Sequence, residues 1–343
     1  MIDLIKKAFY RLGLISAYHR VKNENVLTVI MLHRVLPTHD PRWSAADQGW
    51  AVSEELFKDS FAFFKQHYHF VSLSEVEESL RGRHRLPTRP LLLTLDDGWA
   101  DNFDYVYPIL KKENIPALIF VAAGAVDRKR PFWREAIVMA LKAGYLSTEK
   151  CRALAEKADR HVARDVYSAV DLVAALSSSD EESREQWLEE AGVYDFLAAK
   201  YPPFMLNAAQ LRELSANKIA IGVHGYTHNP ISIEANWAKE LQASRTEIQT
   251  HLQGLAPDSF SFPHGRYDGA LIKKALETGY RLLFTSDPYL VPLVNGQITS
   301  PVLGRVHFAA NDVTDQNGKF APEKMAFWLF KRSAKNPSSG NCR

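Results

Sequence analysis

Leu91–Phe103 reads LLLTLDDGWADNF: a run of apolar or β-branched residues that meets two adjacent carboxylates and a glycine. A short apolar run bounded by turn residues is the pattern of a buried strand. Two neighbouring negative charges at its end repel each other and resist desolvation, so they need a cationic partner, water or a metal ion. In parallel α/β proteins, function gathers at the carboxyl ends of the strands.

Outward from this stretch, further strand-like runs occur at Val26–Leu32, Phe70–Leu73, Ala117–Val121, Ile219–Val223, Ser259–Phe262, Arg281–Thr285 and Val302–Phe308. Helical patterns alternate with them at Ser53–Gln66, Phe103–Glu113, Glu234–Gln253 and Gly269–Thr278. That alternation predicts an α/β fold, a distorted (β/α) barrel of about seven or eight parallel strands. The alternation stops between about 127 and 217, where AIVMALKAGYL, EKCRALAEKADRHVARDV and EESREQWLEEAG read as one helical insertion with solvated charged faces. Within it, Ser179 and Asp180 precede acidic first-turn residues and signal a helix N-cap. The expected organisation is an amphipathic segment at 1–22, a catalytic domain at 23–310 carrying the insertion, and a C-terminal helix with a polar tail at 311–343, ending in NPSSGNCR.

The chain of 343 residues has 42 Lys and Arg against 40 Asp and Glu, a formal charge of +2, so no global charge points to nucleic acid. Two cysteines, Cys151 and Cys342, are too few for a disulfide framework. The N-terminus MIDLIKKAFYRLGLISAYHR lacks the long apolar core and cleavage site of a signal peptide. Its Ile2, Leu4, Ile5, Ala8, Phe9, Leu12 and Ile15 recur near helical spacing among Lys6, Lys7, Arg11 and Arg20. Two readings stand for it: a helix packed on its own domain, or one lying on an anionic membrane. The expected location is cytoplasmic, at the inner face of the membrane.

At another strand end, IGVHGYTHNP places His224 and His228 four apart, with glycines and a proline that favour a strand-to-loop turn. Two imidazoles and one carboxylate make a three-ligand set for a catalytic zinc that keeps a position open for water or substrate. Successive side chains on an extended backbone diverge, so Asp96 and Asp97 are unsuited to chelating one ion as equals. One carboxylate binding the ion while the other takes a proton from water is the natural division.

TLDDG (Thr94–Gly98), HGYTH (His224–His228) and SFPHG (Ser261–Gly265), in this order, resemble the first three motifs of the polysaccharide deacetylases, the carbohydrate esterase family also called the NodB-homology domain. The resemblance spans roughly Val26 to Phe308. It implies Asp96 as catalytic base and Asp97, His224 and His228 as ligands of a divalent metal, zinc first, with cobalt or nickel as alternatives. The third motif departs from the commoner pattern: Ser261 and Phe262 stand before Pro263 where many members carry an arginine that holds the base. Either another group orients Asp96 or Arg266 reaches back. His264 occupies the place of an aromatic residue whose backbone N–H helps bind the oxyanion.

An amide also needs an acid to protonate its leaving nitrogen. VIMLHRVLP, Val29–Pro37, resembles the opening strand of the family branch with permuted motif order, in which a histidine here is the acid, so His33 is favoured over His307. Trp99, Tyr226 and Trp133 are candidate sugar platforms, Trp99 foremost because it follows the carboxylates. The resemblance implies a metal-dependent de-N-acetylase hydrolysing the acetamide of an N-acetylated sugar in a polysaccharide, lipopolysaccharide or lipid-linked glycan precursor. The alternatives are a deacylase or deformylase of a small or lipid-linked amino sugar, and a non-catalytic carbohydrate-binding member.

Overall fold

In a computed structural model, which describes residues 2–158, 168–232 and 235–335, the chain divides into two compact units: 1–37, 48–126 and 206–343 in one, 38–47 and 127–205 in the other. The tail NPSSGNCR with Cys342, residues 159–167 of the second helical pattern, and Glu234, where one predicted helix begins, lie outside the described residues.

The first unit is built on β1 (Val26–Leu32), β2 (Arg34–Leu36), β3 (Ala51–Ser53), β4 (His69–Phe70), β5 (Pro90–Leu95), β6 (Ala117–Val121), β7 (Ile219–Val223), β8 (Ser259–Ser261), β9 (Leu282–Phe284), β10 (Val291–Pro292), β11 (Val302–Leu303) and β12 (Val306–His307). The main sheet runs β10-β1-β5-β6-β7-β8-β9-β11; every neighbouring pair is parallel except the antiparallel β10 on β1. Because β11 pairs with β9 while β12 pairs with β1, the short run Val302–His307 joins the two ends of the sheet. The result is a nearly closed, mostly parallel barrel, as the alternation predicted. β2 and β3 pair apart from it.

Strand periodicity sorts the apolar side chains into two layers. Leu27 and Val29 of β1, Leu92 of β5, Leu118 and Phe120 of β6, Phe284 of β9 and Leu303 of β11 share one cluster, the barrel interior. Their alternates Ile30, Leu32, Leu91, Leu93, Leu95, Ile119 and Val121 join the larger cluster beneath the helices. The helix Glu54–His67 contributes Leu56, Phe57, Phe61 and Phe64 to that layer, and Ser53 caps it by accepting from Leu56 N–H at 3.0 Å.

The second unit is helical, with helices Trp133–Lys142, Thr148–Ala158, Ala169–Leu176, Glu181–Glu190 and Val193–Lys200 around Ile137, Leu172, Leu188 and Leu197. Asp180 is the N-cap of the fourth, accepting from Ser183 N–H at 2.8 Å. This unit ends at Met205, earlier than the 217 expected from pattern, and it takes in 38–47 from upstream. The reason lies in Leu211 and Leu214: the helix Ala208–Ala216 buries them in the barrel unit's core.

Candidate active site

Residues 92, 94 and 96 lie on one face of β5, so Asp96 extends the inward register of Leu92 and Thr94. Arg305, in register with inward Leu303, meets it from the closing run. The Arg305 guanidinium grips both carboxylate oxygens, Nη1 to Oδ1 at 2.6 Å and Nη2 to Oδ2 at 2.7 Å. Its remaining donors reach Thr285 O (3.0 Å), Ser261 Oγ (2.8 Å) and Thr94 Oγ1 (3.3 Å), which fix it from three strand ends. Asp96 and Arg305 are both almost fully buried. Burial works against ionisation of Asp96, but the Arg305 charge and its hydrogen bonds, helped by His224 and His33, hold the carboxyl below its usual range. Arg266, one of the two sequence alternatives for holding Asp96, is exposed, and it is Arg305 that grips the Asp96 carboxylate. Its signal was an arginine inside the apolar run VLGRVHF, which could be buried only with a partner.

Asp97 leaves the extended conformation, with φ 79°, and Gly98 follows at φ 83°. A Cβ on Gly98 would lie 2.9 Å from Val121 Cγ1, so this turn needs glycine. The turn sends Asp97 away from Asp96 toward the end of β7. There His224 Nε2 stands 3.3 Å and His228 Nε2 3.1 Å from Asp97 Oδ1. One ligand atom from each of the three residues lies within 4.8 Å of the others.

The donor set fits a divalent ion. His224 Nδ1 is 2.8 Å from the Ser261 carbonyl, which can only accept, so the proton of the neutral ring sits on Nδ1 and the Nε2 lone pair faces Asp97. Asp97 Oδ2 accepts from Trp99 Nε1 at 2.8 Å, while the buried Oδ1 has no hydrogen-bond partner. Lone pairs at 3.1–3.3 Å repel unless a cation lies between them. Neighbouring ligands of a tetrahedral ion with bonds of about 2.1 Å are held about 3.4 Å apart.

The loop carrying the histidines is tied down by Glu240, a buried carboxylate that accepts from Tyr226 N–H (2.6 Å), Thr227 N–H (3.1 Å) and Thr227 Oγ1 (2.6 Å). A Cβ on Gly225, at φ 74°, would meet Glu240 Oε2 at 2.6 Å. Glycine therefore lets the carboxylate reach these donors. His264 Nε2 lies 2.9 Å from the His228 carbonyl, and the two rings are 4.7 Å apart.

His33 follows β1, and the charges of Asp97, Asp96, Arg305 and His224 act on it. Burial lowers its pKa against the pull of the two carboxylates, and its Nδ1 is buried without a hydrogen-bond partner. His307, also mainly through burial, is pushed down to about 4. The two rings meet edge-on, 5.8 Å apart between centres, and Trp50, 48 % exposed, packs against both with its ring centre 4.6 Å from each. Pattern reading passed over Trp50, which lies in polar DQGWAVS.

Two predicted platforms are corrected by burial. Trp99 is 2 % exposed, hydrogen-bonded to Asp97 and covered by Arg34, whose guanidinium carbon is 4.3 Å from the ring. It braces Asp97 and has no face for a sugar. Trp133 is 5 % exposed and packs against Arg134 and Arg184 within the helical unit. Tyr226 remains half-buried, its ring against Gly124.

The polysaccharide deacetylase family model matches residues 83–283, more than half of the chain. The chain belongs to the polysaccharide deacetylase family. Members are hydrolases of carbon–nitrogen bonds other than peptide bonds, and they generally depend on a divalent metal. Among curated proteins, the chain is similar to the poly-β-1,6-N-acetyl-D-glucosamine N-deacetylase of Escherichia coli (strain K12), 23% identical over 251 residues, which are 72% of this chain and 33% of that protein. The chain thus spans about a third of the length of the curated relatives it matches. Among solved structures it resembles the Streptococcus pyogenes deacetylase PplD in complex with acetate, with TM-score 0.55, 18% identity, 88% of this chain and 96% of that one. It also resembles IcaB from Ammonifex degensii, with TM-score 0.55, 21% identity, 89% of this chain and 97% of that one. These likenesses concern the fold.

Proposed function

We propose that this deacetylase-family chain is a divalent-metal-dependent de-N-acetylase of an N-acetylated sugar within a glycan. The observation that carries the reading is the pairing of a convergent Asp97, His224 and His228 trio with a separate carboxylate, Asp96, clamped by Arg305. When bound, a divalent ion supplies Lewis acidity toward the acyl carbonyl and acidifies water. Asp96, kept anionic by Arg305, takes a proton from the attacking water. The proton taken from water is passed on through His33 to the departing nitrogen, so that acetate and a free amino sugar leave and both side chains regain their starting protonation. His264 offers its backbone N–H to the oxyanion. Trp50, half exposed against His33, supplies an apolar ring face for a pyranose, the role first expected of Trp99.

The non-catalytic alternative drew its support from the arginine absent before Pro263, and Arg305 removes that support. The preferred ion is zinc, and the substrate is a polymeric or lipid-linked N-acetylated glycan, the latter reached from the cytoplasmic side of a membrane. Acetate release from N-acetylglucosamine oligomers tests the reading, using the native protein, the chelated protein and the chelated protein reloaded with zinc, cobalt or nickel. Release by the native and reloaded forms and loss of at least about a hundredfold on chelation are expected. Unchanged release after complete metal removal refutes it, and so does a metal-loaded protein that binds glycans without turnover.

A further inference from the structure

The first two helices, α1 (Ile2–Arg11) and α2 (Leu14–Lys22), present an unusual polarity. A helix at a protein surface ordinarily turns its apolar stripe inward. Here the inward positions are Tyr10 on α1 and Ile15 and His19 on α2, which join the packing around the helix Pro322–Phe330. On α1 the outward stripe is Leu4, Ile5, Ala8 and Phe9, followed by Leu12 in the turn after it; on α2 it is Leu14, Ala17, Tyr18 and Val21. Leu4 is 72 %, Leu12 73 % and Val21 83 % exposed. Two consecutive helices that both direct an apolar stripe outward expose more apolar surface than singly scattered leucines do.

Charge decides what covers it. Residues 4–22 contain Lys6, Lys7, Arg11, Arg20 and Lys22 and no acidic residue. Arg11, Arg20 and Lys22 are exposed; Lys7 lies 3.8 Å from Glu323 yet stays half-exposed. Lys22 Nζ sits 5.2 Å from the Tyr18 ring centre, an aromatic-cation pair suited to a headgroup layer. At about 1.5 Å per residue neither helix can cross a bilayer, and no helix among the described residues is long and apolar enough to do so. An apolar face rimmed by cations on short helices matches the interfacial plane of an anionic membrane.

We propose that α1 and α2 form a monotopic docking surface for anionic phospholipid, holding the barrel at a membrane. The patch is independent of the catalytic reading. Its test is sedimentation of the full chain with vesicles of phosphatidylcholine alone and of phosphatidylcholine with phosphatidylglycerol. Two variants accompany it: Leu4→Ser/Leu12→Ser/Val21→Ser, and Arg11→Gln/Arg20→Gln. The expected result is pelleting that favours the phosphatidylglycerol vesicles and weakens about tenfold or more in each variant, with acetate release from soluble oligomers unchanged in the serine variant. Equal pelleting on both vesicles, or none, overturns the proposal. A dimer in light scattering that the serine variant abolishes also overturns it, since a second copy then covers the patch. Pelleting by a chain that releases no acetate would sink the deacetylase reading and leave the docking surface standing.

Discussion

Replacing Arg305 by methionine keeps most of its volume and removes the guanidinium that grips both Asp96 oxygens. The variant leaves a carboxylate, 2 % exposed, with Ser261 Oγ at 3.4 Å as its remaining side-chain hydrogen-bond donor. Breaking a buried, hydrogen-bonded ion pair from one side costs about 3–5 kcal/mol at neutral pH. For a chain of 343 residues that corresponds to a fall of about 4–7 °C in Tm. The pH dependence has a definite sign. In the native protein the Asp96 pKa is depressed, so its stabilising contribution is present above the unfolded value and fades as pH falls through the folded one. In Arg305→Met burial is no longer offset and the pKa rises. The folded variant then holds a proton that the unfolded chain gives up as pH climbs, so its deficit grows toward neutrality and shrinks toward pH 4. Urea unfolding across this range measures the gap. Activity should fall about a hundredfold or more, because the base is both misplaced and partly protonated. Bound metal should stay near the native content, since Asp97, His224 and His228 make no bond to Arg305. A variant with native kcat, or one that loses its metal in proportion to its activity, refutes the assignment of Arg305 as the positioning residue of the base.

Trp99→Phe keeps the ring against Arg34 and deletes the hydrogen bond to Asp97 Oδ2, so metal affinity should drop about 10- to 100-fold, read by chelator competition; glycan affinity falling with metal affinity intact contradicts this bracing role. Trp50→Ala should raise KM about tenfold with kcat and Tm little changed, and a collapse of kcat alone would assign Trp50 to the chemistry instead. His19 is held neutral, with a pKa lowered to about 3 mainly by burial against Phe330 and also by His67 and Arg89. Below about pH 6.5 the unfolded chain takes up a proton that this ring refuses, so stability falls with pH, by about 2 kcal/mol at pH 5. His19→Phe should flatten that slope in urea titrations at pH 7 and pH 5; an unchanged slope rules out His19 as its source.

The most legible parts of the fold were strands with unbroken apolar runs. Val26–Leu32, Ala117–Val121 and Ile219–Val223 have the bounds their sequence suggests, because burial on both faces leaves no polar residue to blur the ends. Val302–Phe308 read as one strand and is two, split at Gly304-Arg305. A Cβ on Gly304 would fall 2.5 Å from Tyr289 Cε2, and Arg305 N–H bonds the Asp287 carbonyl instead of a neighbouring strand. An extended backbone led to the expectation that Asp96 and Asp97 diverge; they do, but through a turn at positive φ beyond the end of the strand. The partner of Asp96 was not legible, because it lies 209 residues downstream and no local pattern links the two. Trp99 was favoured and Trp50 passed over because exposure is a tertiary property. The tryptophan beside the carboxylates is sealed beneath Arg34, and the one in a polar loop is left open.

Arg305 also sits on the seam. The run Val302–His307 touches β9 with its first residues and β1 with its last, and the guanidinium that steadies Asp96 projects from the middle of this six-residue closure. A seam of two two-residue pairings is a natural place for a parallel barrel to open locally, well below the free energy of global unfolding. Each such opening withdraws Arg305 from Asp96 while leaving the Asp97, His224 and His228 trio in place. The proposed catalysis is thereby tied to two pairings of only two residues each, and warming should silence it through this joint while Asp97, His224 and His228 are still held together.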